Sequence, residues 1–106
     1  MRRHAVLAGA LGLLASTPAL SDELAQGKTV FIQEAQPSCT ICHSLDDAGS
    51  SGAIGPDLDE LKPSYQQVLA AVTTGVGVMP SFEASLTQAQ IQAVARYVSQ
   101  ATGGPP

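Results

Sequence analysis

The chain is predicted to fold as a small all-α domain of about four helices. Three observations carry that expectation. Thr87-x-x-Gln90 is a capping box, and behind it Ile91, Val94, Ala95 and Val98 recur at helical spacing. Pro63 and Gly75 bracket a second helical run, proline suiting a first turn and glycine a C-terminal cap. No segment alternates apolar with polar residues as a half-buried strand does, and there is no internal repeat.

Taken in order, the chain opens on what reads as an export signal, residues 1–21. Arg2 and Arg3 form a positive start, residues 5–15 are uncharged and mostly apolar, and small residues surround Ala19 and Ser21. Eleven such residues fall short of the ~20 a membrane span needs, so no stable insertion is expected after cleavage; a retained anchor is the competing reading. The remaining domain is residues 22–106. Ser21 or Asp22 can cap a first helix to about Ala35, with Leu24, Gly27, Phe31 and Ala35 on one face. Gln36-Pro37-Ser38 breaks it. Residues 44–63, rich in Gly, Ser and Asp, read as loop, and a second clear helix runs from Pro63 or Ser64 to Thr74. Residues 75–82 form an apolar loop that neither period explains. After the last helix, Gly103 to Pro106 reads as a frayed tail.

Between the first helix and the loop lies Cys39-Thr40-Ile41-Cys42-His43. Cysteines three apart on a helical turn lie on one side, so both sulfurs can reach the two vinyl groups along one edge of a haem. His43 can then direct an imidazole nitrogen at the iron. C-x-x-C-H is the sequence form of covalent haem attachment. A thioredoxin-like redox pair would need a βαβ context, and structural zinc wants four ligands where at most three are at hand.

Without the signal, three bases (Lys28, Lys62, Arg96) face nine acids, a net charge of −6 before haem propionates. That argues against a nucleic-acid partner and for positively charged docking surfaces. Four aromatics and no Trp make a thin core for a domain this short. A buried haem would add the missing apolar bulk. Asp46, Asp47, Asp57, Asp59 and Glu60 cluster about the loop, either a solvated surface or a docking patch.

Met79 is then the only Met, and His43 the only His, in residues 22–106. If the iron takes two protein ligands, the usual candidates reduce to this pair, and a thioether opposite an imidazole favours Fe(II). The rival is an iron left open, or bound by water or Lys62. Leu58, Leu61, Val68, Leu69, Val72 and Val78 are candidates for the haem wall and equally for ordinary core.

These residues resemble a class I cytochrome c, in particular the small bacterial and photosynthetic-type electron carriers, over residues 22–102. The resemblance implies helices wrapped around one covalent haem c, with His43 and Met79 as iron ligands. It implies that the Pro56 carbonyl accepts the imidazole Nδ1–H. It also implies that the first and last helices cross at Gly27, Phe31 and Tyr97. One departure is plain: eight positions separate Phe31 from Cys39, about a turn more than in the shortest relatives, so a bulge is expected over residues 34–38.

The expected function is mono-haem electron transfer in the periplasm, between a redox-protein donor and acceptor, by a monomer rather than an enzyme. With His43 and Met79 on iron no usual general base remains. Two other readings stay open: a haem subunit of a larger periplasmic dehydrogenase, and an open-iron haem enzyme or sensor.

Overall fold

The computed structural model describes residues 19–106; of the expected export signal, residues 1–18 lie outside that range. No helix among the described residues is long and apolar enough to cross a membrane. The first helix, α1, spans Leu20–Thr29, two or three residues earlier than side-chain capping by Ser21 or Asp22 would give. Its cap is the backbone: the Ala19 carbonyl accepts from the amides of Asp22 and Glu23. Asp22 and Glu23 in the first turn and Lys28 in the last complement the helix dipole.

The helix does not run on regularly to Ala35. Val30–Glu34 form a π turn, closed by the Ala35 amide donating 2.9 Å to the Val30 carbonyl, and the chain is extended at Ala35. A π turn holds one residue more than an α turn, so part of the extra length before Cys39 is taken up within the helix, upstream of the expected bulge.

After the single turn α2, Cys39–Cys42, the chain makes a miniature hairpin where only loop was expected. Strands β1 (Ser44–Leu45) and β2 (Ser50–Ser51) pair antiparallel around a 3-10 turn at Asp46–Ala48. Two-residue strands are too short to display alternation. The same limit hid α3, Leu58–Leu61, within the expected loop; Asp57 caps it by accepting from the Asp59 amide, and Lys62 ends it at φ 48°. Helix α4, Tyr65–Thr74, starts one residue beyond its cap Ser64, in a reciprocal capping box with Gln67. Pro63 therefore precedes the helix. Gly75, at φ 76°, ends it as expected. Helix α5, Gln88–Thr102, begins with the Thr87–Gln90 box.

The core lies where α5 packs on α1 and α4. Val30 and Phe31 from the π turn meet Ile91, Val94, Ala95 and Val98, all essentially inaccessible. Phe31 and Tyr97 stack edge to face with ring centres 6.0 Å apart. Gly27 permits the crossing: a β-carbon there would strike the Ala93 carbonyl and the Tyr97 Cβ. The Tyr97 hydroxyl donates 2.7 Å to Asp47, which also pairs with Lys28 at 3.4 Å. That hydrogen bond holds the Asp47 carboxyl below its ordinary range, with Lys28 adding to it against the opposing effect of burial. Burial first, and then Asp47, keep the Tyr97 phenol protonated well past its usual range.

The tail is packed rather than frayed. The Gly104 amide donates 2.8 Å to the Ser99 carbonyl, and the buried Ser99 hydroxyl donates 3.1 Å to the Pro105 carbonyl. Gly104 itself lies against the Pro63 carbonyl.

Gly27→Val sets helix propensity, which favours the substitution by a few tenths of a kcal/mol, against overpacking, which costs roughly 1–3 kcal/mol. Because the obstructing atoms include backbone, overpacking wins. Thermal unfolding should show a net loss of stability; an unchanged midpoint would mean that the two helices part without strain.

Candidate functional site

One turn of helix does not hold itself, so the geometry of Cys39, Cys42 and His43 rests on what surrounds them. The His43 amide donates to the Cys39 carbonyl at 3.0 Å, closing the turn. The Gly55 amide donates to the Cys42 carbonyl at 2.7 Å, and the Ser50 hydroxyl to the His43 carbonyl at 2.9 Å. Gly52 fits against the Thr40 and Ile41 carbonyls, where a β-carbon would come within 2.7 Å. The hairpin and its following loop thus clasp the turn from below.

His43 leaves the helix in extended conformation, and its Nδ1 lies 2.8 Å from the Pro56 carbonyl oxygen. A carbonyl only accepts, so Nδ1 carries the proton and Nε2 keeps its lone pair for a metal or a donor. Gly55 lies against the ring: a β-carbon there would come within 2.7 Å of Cε1 and 3.0 Å of Nδ1.

Cys39, Cys42, His43, Pro56 and Met79 all line one cleft of about 390 Å³. Met79 reaches it from a tight turn, Val76 and Met79 exchanging both backbone hydrogen bonds at 3.1 and 2.9 Å, with Gly77 at φ 55° between them. The loop is pinned to α4 by the Phe82 amide on the Val72 carbonyl and the Ser81 hydroxyl on the Thr73 carbonyl. Of the expected wall residues, Leu58, Leu61, Val68, Val72 and Val78 line the cleft; Leu69 does not, and packs against the core. Phe31, Ile54, Phe82, Val94 and Val98 line it too. Sequence periodicity marked some of these as core but could not tell a core face from a cleft wall.

Cys39 and Cys42 are not joined in a disulfide. Burial pushes the Cys39 thiol up to about 11, a nearby Cys42 charge adding to this and a local backbone hydrogen bond opposing it. A thioredoxin-type nucleophile needs the opposite shift. Among the described residues no three His, Cys, Asp or Glu are grouped as a metal ion would require. What remains is an apolar cleft lined by both cysteines and by His43, whose Nε2 is left free by the Nδ1 bond to Pro56. That donor set fits a covalently attached haem, and the fold and site together define a c-type haem protein.

Comparisons with known proteins agree. The family profile described as cytochrome C oxidase, cbb3-type, subunit III matches residues 22–98. The chain is 34% identical to cytochrome c6 of Leptolyngbya boryana over 80 residues, covering 72% of this chain and 89% of that one. It is 38% identical over 85 residues to the cbb3-type cytochrome c oxidase subunit CcoP of Cereibacter sphaeroides, covering 76% of this chain but only 28% of CcoP. Among solved structures, the c-type cytochrome SorU of Sinorhizobium meliloti is similar at 48% identity with a TM-score of 0.75, over 79% of this chain and 95% of SorU. The chain belongs to the class I cytochromes c and carries covalently bound haem c.

Gly55→Ala is expected to drive the imidazole off Pro56, since the nearest obstructing atoms belong to the ring. The His43 ring N–H, no longer held by that bond, should then exchange with water faster in the NMR spectrum. Unchanged exchange would mean that the Gly55 loop moves instead of the ring.

Proposed function

We propose that the protein is a periplasmic electron carrier whose haem iron would be held by His43 and Met79. The observation that carries the reading is that both side chains border the same apolar cleft as Cys39 and Cys42, with Nδ1 of His43 engaged by Pro56. Haem c supplies one-electron exchange between Fe(III) and Fe(II). Cys39 and Cys42 anchor it through thioethers. Pro56 fixes the His43 tautomer and raises the basicity of the free nitrogen. The Met79 thioether favours the reduced state. Leu58, Val68, Val72 and Phe82 exclude water, and no side chain in the cleft other than His43 offers a general base. On this reading the protein is a carrier rather than an enzyme, and residues 1–21 are its export signal.

The donor and acceptor are redox proteins with basic docking surfaces. Within the acidic cluster, Asp47 is committed to Tyr97 and Lys28, Asp57 caps α3, and Asp59 accepts from the Asp46 amide. Asp46 and Glu60 have side chains without partners among the described residues and are the better candidates for steering. Permanent residence in a larger dehydrogenase is the second reading. It draws on Val76 and Val78, exposed at the mouth of the cleft, although Phe82 is buried and adds nothing to such a patch.

Met79→Ala should lower the midpoint potential, let cyanide bind the ferric protein rapidly, and abolish the weak long-wavelength band of Met-ligated ferric haem. If the wild-type protein lacks that band, or keeps it without Met79, the sixth ligand is another group.

The second-order rate of electron transfer with a basic partner should fall as salt rises, because exposed charges are screened over about 10 Å at 0.1 M. Asp46→Lys with Glu60→Lys should slow it at low salt and flatten the dependence. A salt-independent rate, with the protein co-purifying with a larger enzyme, would favour the subunit reading.

A further inference from the structure

We infer that Ser38 is a positioning residue for the haem-binding turn, its hydroxyl latching that turn to the π-helical end of the first helix. The register change creates the latch. In a continuing α-helix the Phe31 carbonyl would receive the Ala35 amide; in the π turn that amide goes to Val30 instead. The Ile32 carbonyl loses its partner as well, because the chain turns extended at Ala35. The Ser38 hydroxyl faces both, 3.2 Å from the Phe31 oxygen and 2.9 Å from the Ile32 oxygen.

Its other side is equally engaged. Ser38 Oγ accepts from the Thr40 amide at 3.3 Å as the N-cap of Cys39–Cys42, and lies 2.8 Å from the Thr40 hydroxyl. A serine hydroxyl has one proton and two lone pairs. With the proton shared between two carbonyls and both lone pairs turned to Thr40, that capacity is full. A helix cap alone needs only the acceptor half. The donor half ties the turn bearing Cys39, Cys42 and His43 to the element bearing Phe31, which lines the same cleft. Of the hydrogen bonds holding the turn, those from Ser50 and Gly55 come from downstream. Ser38 holds it from upstream.

The test separates the two halves in the holoprotein. Ser38→Thr keeps donor and acceptor; Ser38→Asp keeps the capping acceptor but offers no proton, and sets a carboxylate against two carbonyls; Ser38→Ala removes both. The readouts are the paramagnetically shifted resonances of the His43 ring and the exchange of the Thr40 to His43 amides. Ser38→Thr should match wild type. Ser38→Asp and Ser38→Ala should both displace the ring resonances and speed amide exchange about fivefold or more. An aspartate variant indistinguishable from wild type would overturn the inference, leaving Ser38 a simple cap. Failure of the aspartate chain to yield holoprotein, beside a normal threonine variant, counts for the latch. The ring readout rests on His43 being an iron ligand. If wild type lacks shifted His43 resonances, that assignment fails separately, and amide exchange alone decides the latch.

Discussion

A single turn of helix closes one hydrogen bond at the conformational cost of several fixed dihedrals, and in water it does not persist unaided. This protein hangs its cofactor attachment on such a turn, Cys39–Cys42. Much of the surrounding structure follows from that constraint. The small hairpin brings Ser50 and Gly52 under the turn, the next loop brings Gly55 and Pro56 against its last residues, and the π turn brings two carbonyls to Ser38. Each contact is backbone or near-backbone, short, and directional. Apolar packing alone would leave the turn free to slide.

The larger helices answer a different need. A domain with four aromatics has little apolar surface to bury, and it compensates by close approach. Gly27 lets α1 lie on the Ala93 backbone, and α5 buries two alanines beside Ile91 and the two valines of its inner face, Val94 and Val98. Small residues at the crossing bring the ridges of both helices into contact without bulky side chains. Where the crossing ends, Tyr97 turns a polar tip outward to Asp47, tying the last helix to the hairpin that supports the haem turn.

How legible this was depended on length and on chemistry. The long helices could be read because their capping boxes and apolar spacing repeat over several turns, and C-x-x-C-H could be read because few other functions need that spacing. The hairpin and α3 were illegible because two to four residues carry no period. The π turn was illegible because a shift of one hydrogen bond leaves no mark on composition. Ser38 could have been found: a serine directly before a helical motif is a capping signal, here hidden by the prominence of the cysteines after it. The tail looked like polar punctuation because the acceptor of Ser99 is a backbone carbonyl, which every sequence contains.

The turn from Val76 to Met79 closes on itself through main-chain atoms alone, and Gly77 alone takes the left-handed geometry within it. The side chain at position 79 is thus presented by a frame that does not depend on its identity. Thioether, imidazole or amine could be carried there on the same backbone without rebuilding the loop. Under the proposed ligation of iron by Met79, the redox character of the protein is in that sense detachable from its architecture, a setting that single-residue change can move across a wide range while the vessel stays the same.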